Sequence, residues 1–348
     1  MDLSAPTRAT FVTPKGRALD VTRLGFGAAP LGNMHRALTE AEAQDTLDAA
    51  WDAGVRYFDT APLYGHGLSE MRVGRMLRDH PRADYLVSTK VGRLLEPCAP
   101  GEGDSGIYRA TPQVRIRFDY SRDGVMRSFE SSLKRLGLDR VDILFVHDVD
   151  ARTHGSRAAS EARIAELIDS GGWRALDDLR AAGVVAAIGA GVNEWEPCAR
   201  LLDLCDPDLF LLAGRYTLLE QEPLHTLFPA CQARGVGIVL GGPYNSGILA
   251  RPSGSYDYAK APAEVLARVR ALEAVCRRFG TPLAAAALVF AGAHPSVVSV
   301  IPGGQNRAEV EANAVLQGAS VPLELWAALK DEGLLDPAAP VPRERVPC

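Results

Sequence analysis

The chain has 348 residues, of which 47% are hydrophobic and 23% are charged, and its formal net charge is −5. This composition allows a large buried core, and its slightly acidic balance gives no electrostatic reason to expect nucleic acid or an anionic membrane as a partner. No signal-peptide-like apolar core, bilayer-length apolar run or C-x-x-C cysteine pair occurs, which predicts a reduced, cytoplasmic protein.

The first part of the chain predicts a β-hairpin followed by the first strand and helix of a repeating pattern. A Pro-Lys-Gly turn inside 11–24 gives the hairpin, which could close the bottom of a barrel, and 25–29 is the first strand. Thr39 with Glu42 three residues later forms a capping box, which begins a helix that ends near Ala53.

The same alternation of strand and helix continues along the chain. The later pairs are 186–191 with 194–205, 209–213 with 223–234, 237–241 with helices in 262–291, and 297–301 with 307–316. Eight such units with right-handed crossovers predict an α/β fold, a (β/α)8 TIM barrel with an N-terminal β-hairpin. We expect residues 1–348 to form this one barrel domain.

Four ionisable residues, Asp59, Tyr64, Lys90 and His147, fall at or just after the C-terminal ends of short apolar runs. Because the C-terminal ends of parallel barrel strands form one rim, these residues are predicted to share a pocket. Taken singly, each has an ordinary structural explanation, such as a helix cap for Asp59 or a packed turn aromatic for Tyr64. Their joint placement favours a common catalytic site.

Motifs of other chemistries are missing from the sequence. It contains no GxxxxGK[ST] phosphate loop, no HExxH zinc helix and no GxSxG nucleophile elbow. The segment 189–194 has only the first two glycines of the dinucleotide fingerprint GxGxxG. A metal-free mechanism on a barrel is therefore the preferred hypothesis.

The order and spacing of the polar residues resemble the aldo-keto reductase superfamily over nearly the whole chain. The resemblance rests on Asp-Thr-Ala-Pro-Leu-Tyr-Gly at 59–65, Ser-Thr-Lys at 88–90, His-Asp at 147–148, and the strand-end segments 188–193 and 300–304. Further segments are similar to the aldose dehydrogenase branch, which includes D-threo-aldose 1-dehydrogenase, L-fucose dehydrogenase and pyridoxal 4-dehydrogenase. These segments are 118–124, 213–221 and 242–247.

The resemblance implies an NAD(P)-dependent oxidoreductase with a small sugar or aldehyde substrate. Tyr64 would take the proton from the C1 hydroxyl of a cyclic aldose while hydride leaves C1, and the product would be a lactone. Lys90 would favour the phenolate, Asp59 would hold Lys90, and His147 would contact the substrate oxygen. Pyridoxal oxidation and general NADPH-dependent reduction of aldehydes and ketones are the alternatives.

The resemblance also implies where a nicotinamide cofactor binds. Asn193 would contact the carboxamide, Tyr216 would stack on the nicotinamide ring, and Asn313 would lie near the adenine. Phosphates would bind at the turns after strands seven and eight, where glycines allow close backbone approach and a helix begins. The residues expected to contact the cofactor on these turns are Gly242, Pro243, Tyr244, Asn245, Gly247, Ile301, Pro302, Gly303, Gly304, Gln305, Arg307 and Glu309.

Two departures from the family pattern bear on the cofactor. Members that bind the 2′-phosphate of NADP have Lys and Arg where this chain has Gly303 and Glu309. A carboxylate suits ribose hydroxyls better than a phosphate, which favours NAD, while Arg307 leaves NADP open. Near the nicotinamide, Arg215 and Val192 replace the usual Gln and Ser.

The segment 91–118 is rich in Gly and Pro and is predicted to be a long loop over the pocket that governs specificity. Two rival functions remain: a Schiff-base aldolase that uses Lys90, and a non-catalytic nucleotide-binding subunit similar to channel-associated relatives of the family. The spacing of Asp59 and Tyr64 argues against the first, and the complete tetrad argues against the second. No feature of the sequence predicts an oligomeric state.

Overall fold

The computed structural model describes residues 6–99, 101–103, 105–251, 255–257 and 259–342. Twelve strands occur in this part of the chain. In order they are β1 (Arg8–Val12), β2 (Ala18–Thr22), β3 (Phe26–Gly27), β4 (Tyr57–Asp59), β5 (Leu86–Val91), β6 (Arg93–Pro97), β7 (Val114–Phe118), β8 (Ile143–His147), β9 (Ala187–Val192), β10 (Leu209–Ala213), β11 (Gly237–Gly241) and β12 (Val297–Ile301).

Twelve α-helices surround the strands in the described residues. They are α1 (Glu40–Asp52), α2 (Leu68–Leu77), α3 (Arg122–Leu136), α4 (Ala151–His154), α5 (Arg157–Asp169), α6 (Gly172–Ala181), α7 (Glu196–Leu204), α8 (Leu227–Arg234), α9 (Ala263–Arg278), α10 (Leu283–Ala291), α11 (Arg307–Gln317) and α12 (Leu323–Asp331). No single one of them has the length and apolar composition to cross a membrane, although α9 and α10 together pass that test as a bent pair.

Eight parallel strands form one sheet in the order β12-β11-β10-β9-β8-β5-β4-β3. The first and last strands of this order meet through two isolated parallel bridges, Leu24 to Val300 and Gly27 to Gly303. A Cβ atom at Gly27 would lie 2.8 Å from the carbonyl oxygen of Ile301, so this seam requires glycine. The predicted (β/α)8 barrel and its N-terminal hairpin, β1 with β2, are confirmed.

Local signals fix where the helices begin and end. Thr39 Oγ1 accepts from the Glu42 backbone N–H at 3.1 Å, and the Glu42 carboxylate accepts from the Thr39 N–H at 2.7 Å, which completes the predicted capping box. Ser121 caps α3, and Gly137 ends it in the left-handed conformation at φ 64°. These caps set the lengths of the crossovers and therefore the positions of the following strands.

The segment 91–118 differs from the predicted loop, because β6 and β7 pair along it as an antiparallel ribbon. The connection between β6 and β7 is bonded to the loop after β3. The Asn33 side-chain amide donates to the Arg109 carbonyl at 2.9 Å, and the Asn33 backbone carbonyl accepts from the Arg109 N–H at 3.0 Å. Cross-strand hydrogen bonding between β6 and β7, which glycine and proline content does not reveal, gives the described part of this segment regular structure.

Two carboxylates, the half-buried Asp142 and the buried Asp208, link elements at the N-terminal end of the barrel. Asp142 accepts from Arg82 Nη2 at 2.8 Å and from the Val87 backbone N–H at 2.7 Å. Asp208 accepts from Arg180 Nη1 at 2.8 Å and from the backbone N–H of Ile188 at 3.0 Å. Each carboxylate therefore links the start of a strand to a neighbouring strand or helix.

Candidate active site

The four predicted catalytic residues converge at the C-terminal rim of the barrel. Asp59 and His147 are the last residues of β4 and β8, Lys90 lies on β5, and Tyr64 follows β4 in the turn before α2. Tyr64, Lys90 and His147 line a cavity of about 350 Å³, and Asp59 is bonded to Lys90. The parallel strands thus bring together residues that are far apart in sequence.

Lys90 is the centre of the cluster and is 1% exposed. Its Nζ donates to Asp59 Oδ2 at 2.7 Å, to the Thr60 carbonyl at 3.0 Å and to Tyr64 Oη at 3.1 Å. An ammonium has three N–H donors, so these three acceptors use all of them. The Tyr64 oxygen is therefore an acceptor toward Lys90, and its own hydroxyl proton points away from Lys90.

Asp59 is held from both sides. Its Oδ1 accepts from Ser88 Oγ at 2.7 Å, and the Ser88 hydroxyl lies 3.0 Å from the hydroxyl of Tyr57. Burial raises the pKa of the Asp59 carboxyl, while the Lys90 ammonium and the Ser88 hydroxyl oppose that rise. The result is a buried ion pair with little freedom to move.

His147 faces the edge of the Tyr64 ring, with the two ring centroids 5.8 Å apart and the planes at 89°. Burial, followed by the charges of Arg93 and Lys90, lowers the pKa of His147 well below its usual value. The imidazole is therefore neutral near pH 7, with one nitrogen carrying a proton. Its Nε2 lies 3.3 Å from Asp148 Oδ2, and its buried Nδ1 has no partner among the described residues.

Asp148 adds a feature that sequence reasoning missed. Its carboxylate accepts from Arg93 Nη2 at 2.5 Å and from Asn193 Nδ2 at 3.0 Å, and the residue has a left-handed backbone with φ 49°. Burial raises the pKa of this carboxyl to about 6. The only sequence signal was its position directly after His147.

The cavity has a polar floor and largely apolar walls. The ribbon contributes Ser105–Tyr108 at its tip and Ile116 on its return strand, and His66 and Arg152 add polar groups. His66 lies two residues beyond Tyr64, so its place in the turn is the signal that could have identified it. The remaining apolar wall residues are Ala29, Met34, Leu63, Val192, Leu211 and Ala213.

Of the predicted cofactor residues, Asn193 lines the cavity, and those on the turns after β11 and β12 follow strands that end at the same rim. The turns after β11 and β12 are tied together, because Tyr244 donates to Asn313 Oδ1 at 2.9 Å and Asn313 lies 3.5 Å from the Gly303 carbonyl oxygen. The turn after β12 runs through glycine into α11, which Asn306 caps. Glycine backbone and a helix N-terminus suit a phosphate-bearing group, so these residues fit a nicotinamide dinucleotide.

The position of Tyr216 contradicts its predicted role in the cofactor site. Its side chain is 1% exposed, and its ring packs 4.7 Å from that of Phe228 and 5.1 Å from that of Phe290. It lies in the hydrophobic core, so the predicted stacking on a nicotinamide ring is wrong. The turn at Gly214, with φ 68°, separates this aromatic from the strand end and lets it point inward.

Arg307 and Glu309, which we expected to decide between NAD and NADP, both have ion-pair partners. Arg307 pairs with Asp45 at 2.7 Å and with Glu311 at 3.4 Å. The Glu309 carboxylate accepts from the Gln305 backbone N–H at 2.9 Å and pairs with Arg251 at 3.2 Å. Arg307, the one residue that we expected to leave NADP open, is therefore already engaged by carboxylates.

A parallel barrel whose rim carries a buried Lys–Asp pair against a tyrosine hydroxyl defines a class, the barrel oxidoreductases that use a nicotinamide. The aldo/keto reductase family model matches residues 23–323. The chain is 44% identical over 330 residues to pyridoxal 4-dehydrogenase of Microbacterium luteolum, covering 91% of this chain and 95% of that one. It is 40% identical over 326 residues to D-threo-aldose 1-dehydrogenase of a Pseudomonas species, again covering 91% and 95%.

The structure is similar to the holo form of a solved aldo-keto reductase from Bacillus halodurans, with a TM-score of 0.72 and 25% identity over 97% of this chain and 98% of that one. The protein therefore belongs to the aldo/keto reductase family and is an NAD(P)-dependent oxidoreductase.

Proposed function

We propose that the protein oxidises an aldose, as its cyclic hemiacetal, at C1 to the lactone, with NAD as the acceptor. The observation that carries the proposal is the hydroxyl of Tyr64 at 3.1 Å from Lys90, at a cavity that a neutral His147 also lines. Oxidation of a hydroxyl carbon needs a group that takes the hydroxyl proton and a group that positions the same oxygen, beside the nicotinamide that accepts the hydride.

The residues divide the proton chemistry among themselves. The N–H that Lys90 donates to Tyr64 favours the phenolate, which takes the proton from the C1 hydroxyl. His147 positions the substrate oxygen, and Asp59 keeps Lys90 in place. A bound nicotinamide supplies the hydride acceptor, and Asn193 with the glycine turns after β11 and β12 would hold it. Because Lys90 uses all three N–H groups in hydrogen bonds, a role as Schiff-base nucleophile is disfavoured.

The choice of NAD over NADP is supported by the charges near the turn after β12. Glu309 places a carboxylate there that pairs with Arg251, and Arg307 pairs with Asp45 and Glu311, so each of these arginines already has a carboxylate partner. A carboxylate accepts hydrogen bonds from ribose hydroxyls and repels a 2′-phosphate. We expect Glu309→Lys to improve the kcat/KM for NADP relative to NAD.

Pyridoxal is a second candidate substrate, favoured by the apolar walls of the cavity. Leu63, Ile107, Ile116 and Leu211 offer surfaces suited to a flat aromatic ring, and a relative at 44% identity is a pyridoxal 4-dehydrogenase. Pyridoxal closes on its own hydroxymethyl group to a cyclic hemiacetal, so its oxidation would also give a lactone and would need the same residues.

The test is formation of reduced nicotinamide with L-fucose, L-galactose, D-arabinose and pyridoxal, each with NAD and with NADP. Turnover of a sugar with NAD that disappears in Tyr64→Phe would support the proposal. Turnover of pyridoxal alone would leave the reaction class intact and replace the substrate. NADPH-dependent carbonyl reduction without hemiacetal oxidation would contradict it.

A further inference from the structure

Asp148 lies at the junction of three parts of the site. It follows the catalytic His147 directly, it accepts from Asn193 on the expected cofactor side, and it accepts from Arg93, the first residue of the ribbon. Its side chain is 7% exposed and still lines the cavity. A single carboxylate therefore contacts the substrate wall, the catalytic imidazole and the amide that we assign to the cofactor.

The hydrogen bonds of this carboxylate also determine how its neighbours are oriented. An ionised carboxylate only accepts, so the amide of Asn193 must present its Nδ2 to Asp148 Oδ1 and its Oδ1 elsewhere. His147 Nε2 lies 3.3 Å from Asp148 Oδ2, so the negative charge of the carboxylate also acts on the imidazole ring. Asp148 thus selects one orientation of the Asn193 amide and places a negative charge beside the His147 ring.

Hydrogen bonds hold the backbone of Asp148 in a left-handed conformation. The residue has φ 49°, its N–H donates to the Gly191 carbonyl at 2.9 Å, and its carbonyl accepts from Tyr120 Oη at 3.1 Å and from His154 Nε2 at 3.0 Å. Non-glycine residues adopt this conformation at a cost, and it persists where surrounding contacts fix it. The direction of the side chain is therefore set by the backbone as well as by its partners.

We propose that Asp148 is a positioning residue that couples cofactor binding to the chemical step, because it orients Asn193 and places its charge beside His147, with Arg93 anchoring its carboxylate. The inference rests on the proposed function for the role of His147 and on the family resemblance for the role of Asn193. It assigns Asp148 no contact with the reacting atoms.

The test compares Asp148→Asn with Asp208→Asn. Both wild-type carboxylates are buried and accept from an arginine, but Asp208 lies at the opposite end of the barrel. Asparagine tolerates a left-handed backbone, so the substitution at Asp148 changes hydrogen bonding with little change in strain. Three quantities are measured. They are the Kd for NADH, from fluorescence titration without substrate, the kcat, and the urea midpoint of unfolding.

We expect Asp148→Asn to raise the Kd for NADH by about tenfold and to lower kcat by a similar factor, because it places an amide N–H against a donor. Asp208→Asn should lower the urea midpoint and leave both quantities unchanged. In an Asn193→Ala background the further effect of Asp148→Asn on NADH binding should fall below about twofold, since the oriented amide is already gone.

If Asp148→Asn does not fold, Arg93→Gln is the second variant, because it replaces the guanidinium that anchors the Asp148 carboxylate to the ribbon. A weaker NADH affinity in Arg93→Gln supports the coupling, and an unchanged affinity overturns it. The proposal is also overturned if Asp148→Asn behaves as Asp208→Asn does. NADH titration needs no substrate, so a failure of the proposed reaction and a failure of this inference give different results.

Discussion

Both ends of the barrel contain buried or half-buried carboxylates that are paired with cations, but the other hydrogen-bond partners of those carboxylates differ. At the N-terminal end, Asp142 and Asp208 each accept from an arginine and from a backbone N–H. At the C-terminal rim, Asp59 and Asp148 accept from side chains: lysine and serine for the first, arginine and asparagine for the second.

This difference in partners distinguishes two roles for a carboxylate that is paired with a cation. A carboxylate that accepts from backbone fixes the relative positions of strands and contributes to stability wherever it occurs. A carboxylate that accepts only from side chains fixes the orientation of groups that face a cavity. Substitutions at the two ends should therefore separate activity from stability.

The largest effect is expected at the rim, for Tyr64→Phe. Removing the hydroxyl that Lys90 contacts should lower kcat by about 10²- to 10⁴-fold, because proton transfer loses its acceptor. The urea midpoint should stay close to that of the wild type. Steady-state rates of NADH formation measure the first quantity, and a variant that retains more than a tenth of the rate would show that another group takes the proton.

The next effect is expected for Lys90→Met, which leaves the Asp59 carboxylate buried without its cation. The free energy of unfolding should fall by about 3–5 kcal/mol. Because burial raises the pKa of Asp59, the carboxyl can take up a proton as the pH falls, and the loss should shrink on the acid side. Urea unfolding at two pH values measures this, and adding Asp59→Asn should recover part of the stability.

At the opposite end, Asp142→Asn should affect stability alone. Its hydrogen bonds to Arg82 and to the Val87 backbone would be weakened, at a cost of about 1–3 kcal/mol. The values of kcat and KM should match the wild type, since the residue lies at the far end of the strands. A changed kcat with an unchanged urea midpoint would contradict the distinction between the two ends.

The smallest effect is expected for Tyr216→Phe, which tests the correction to the cofactor site. The hydroxyl of Tyr216 is buried without a partner among the described residues, so its removal should change stability by no more than about 1 kcal/mol. The Kd for NADH should be unchanged. Tyr216→Ala is the matched control and should cost about 3–5 kcal/mol through the cavity that it leaves.

Much of the fold was predictable because its signals are local. The capping box of Thr39 and Glu42 spans four residues, and the strand ends at Asp59 and His147 follow continuous apolar runs. Parallel strands then require the polar ends to meet at one rim, which is why the convergence of the four candidate catalytic residues could be predicted from the sequence.

The parts that were missed depend on contacts between distant residues. Arg93 and Asp148 are 55 positions apart, and neither residue alone indicates that they pair. The ribbon of β6 and β7 depends on cross-strand register, which its composition obscures. The direction of Tyr216 is decided by Phe228 and Phe290, which lie on other elements, so spacing alone could not distinguish a core ring from a stacking one.

The seam between β3 and β12 has a consequence for how the chain is made. Arg23 donates to the Gly292 carbonyl at 2.7 Å across 269 positions, and Gly27 bridges to Gly303. A nascent chain that has not yet reached β12 leaves β3 and β11 as open strand edges, which are templates for wrong pairing. The first strand of the barrel to leave the ribosome is thus among the last to gain both of its neighbours.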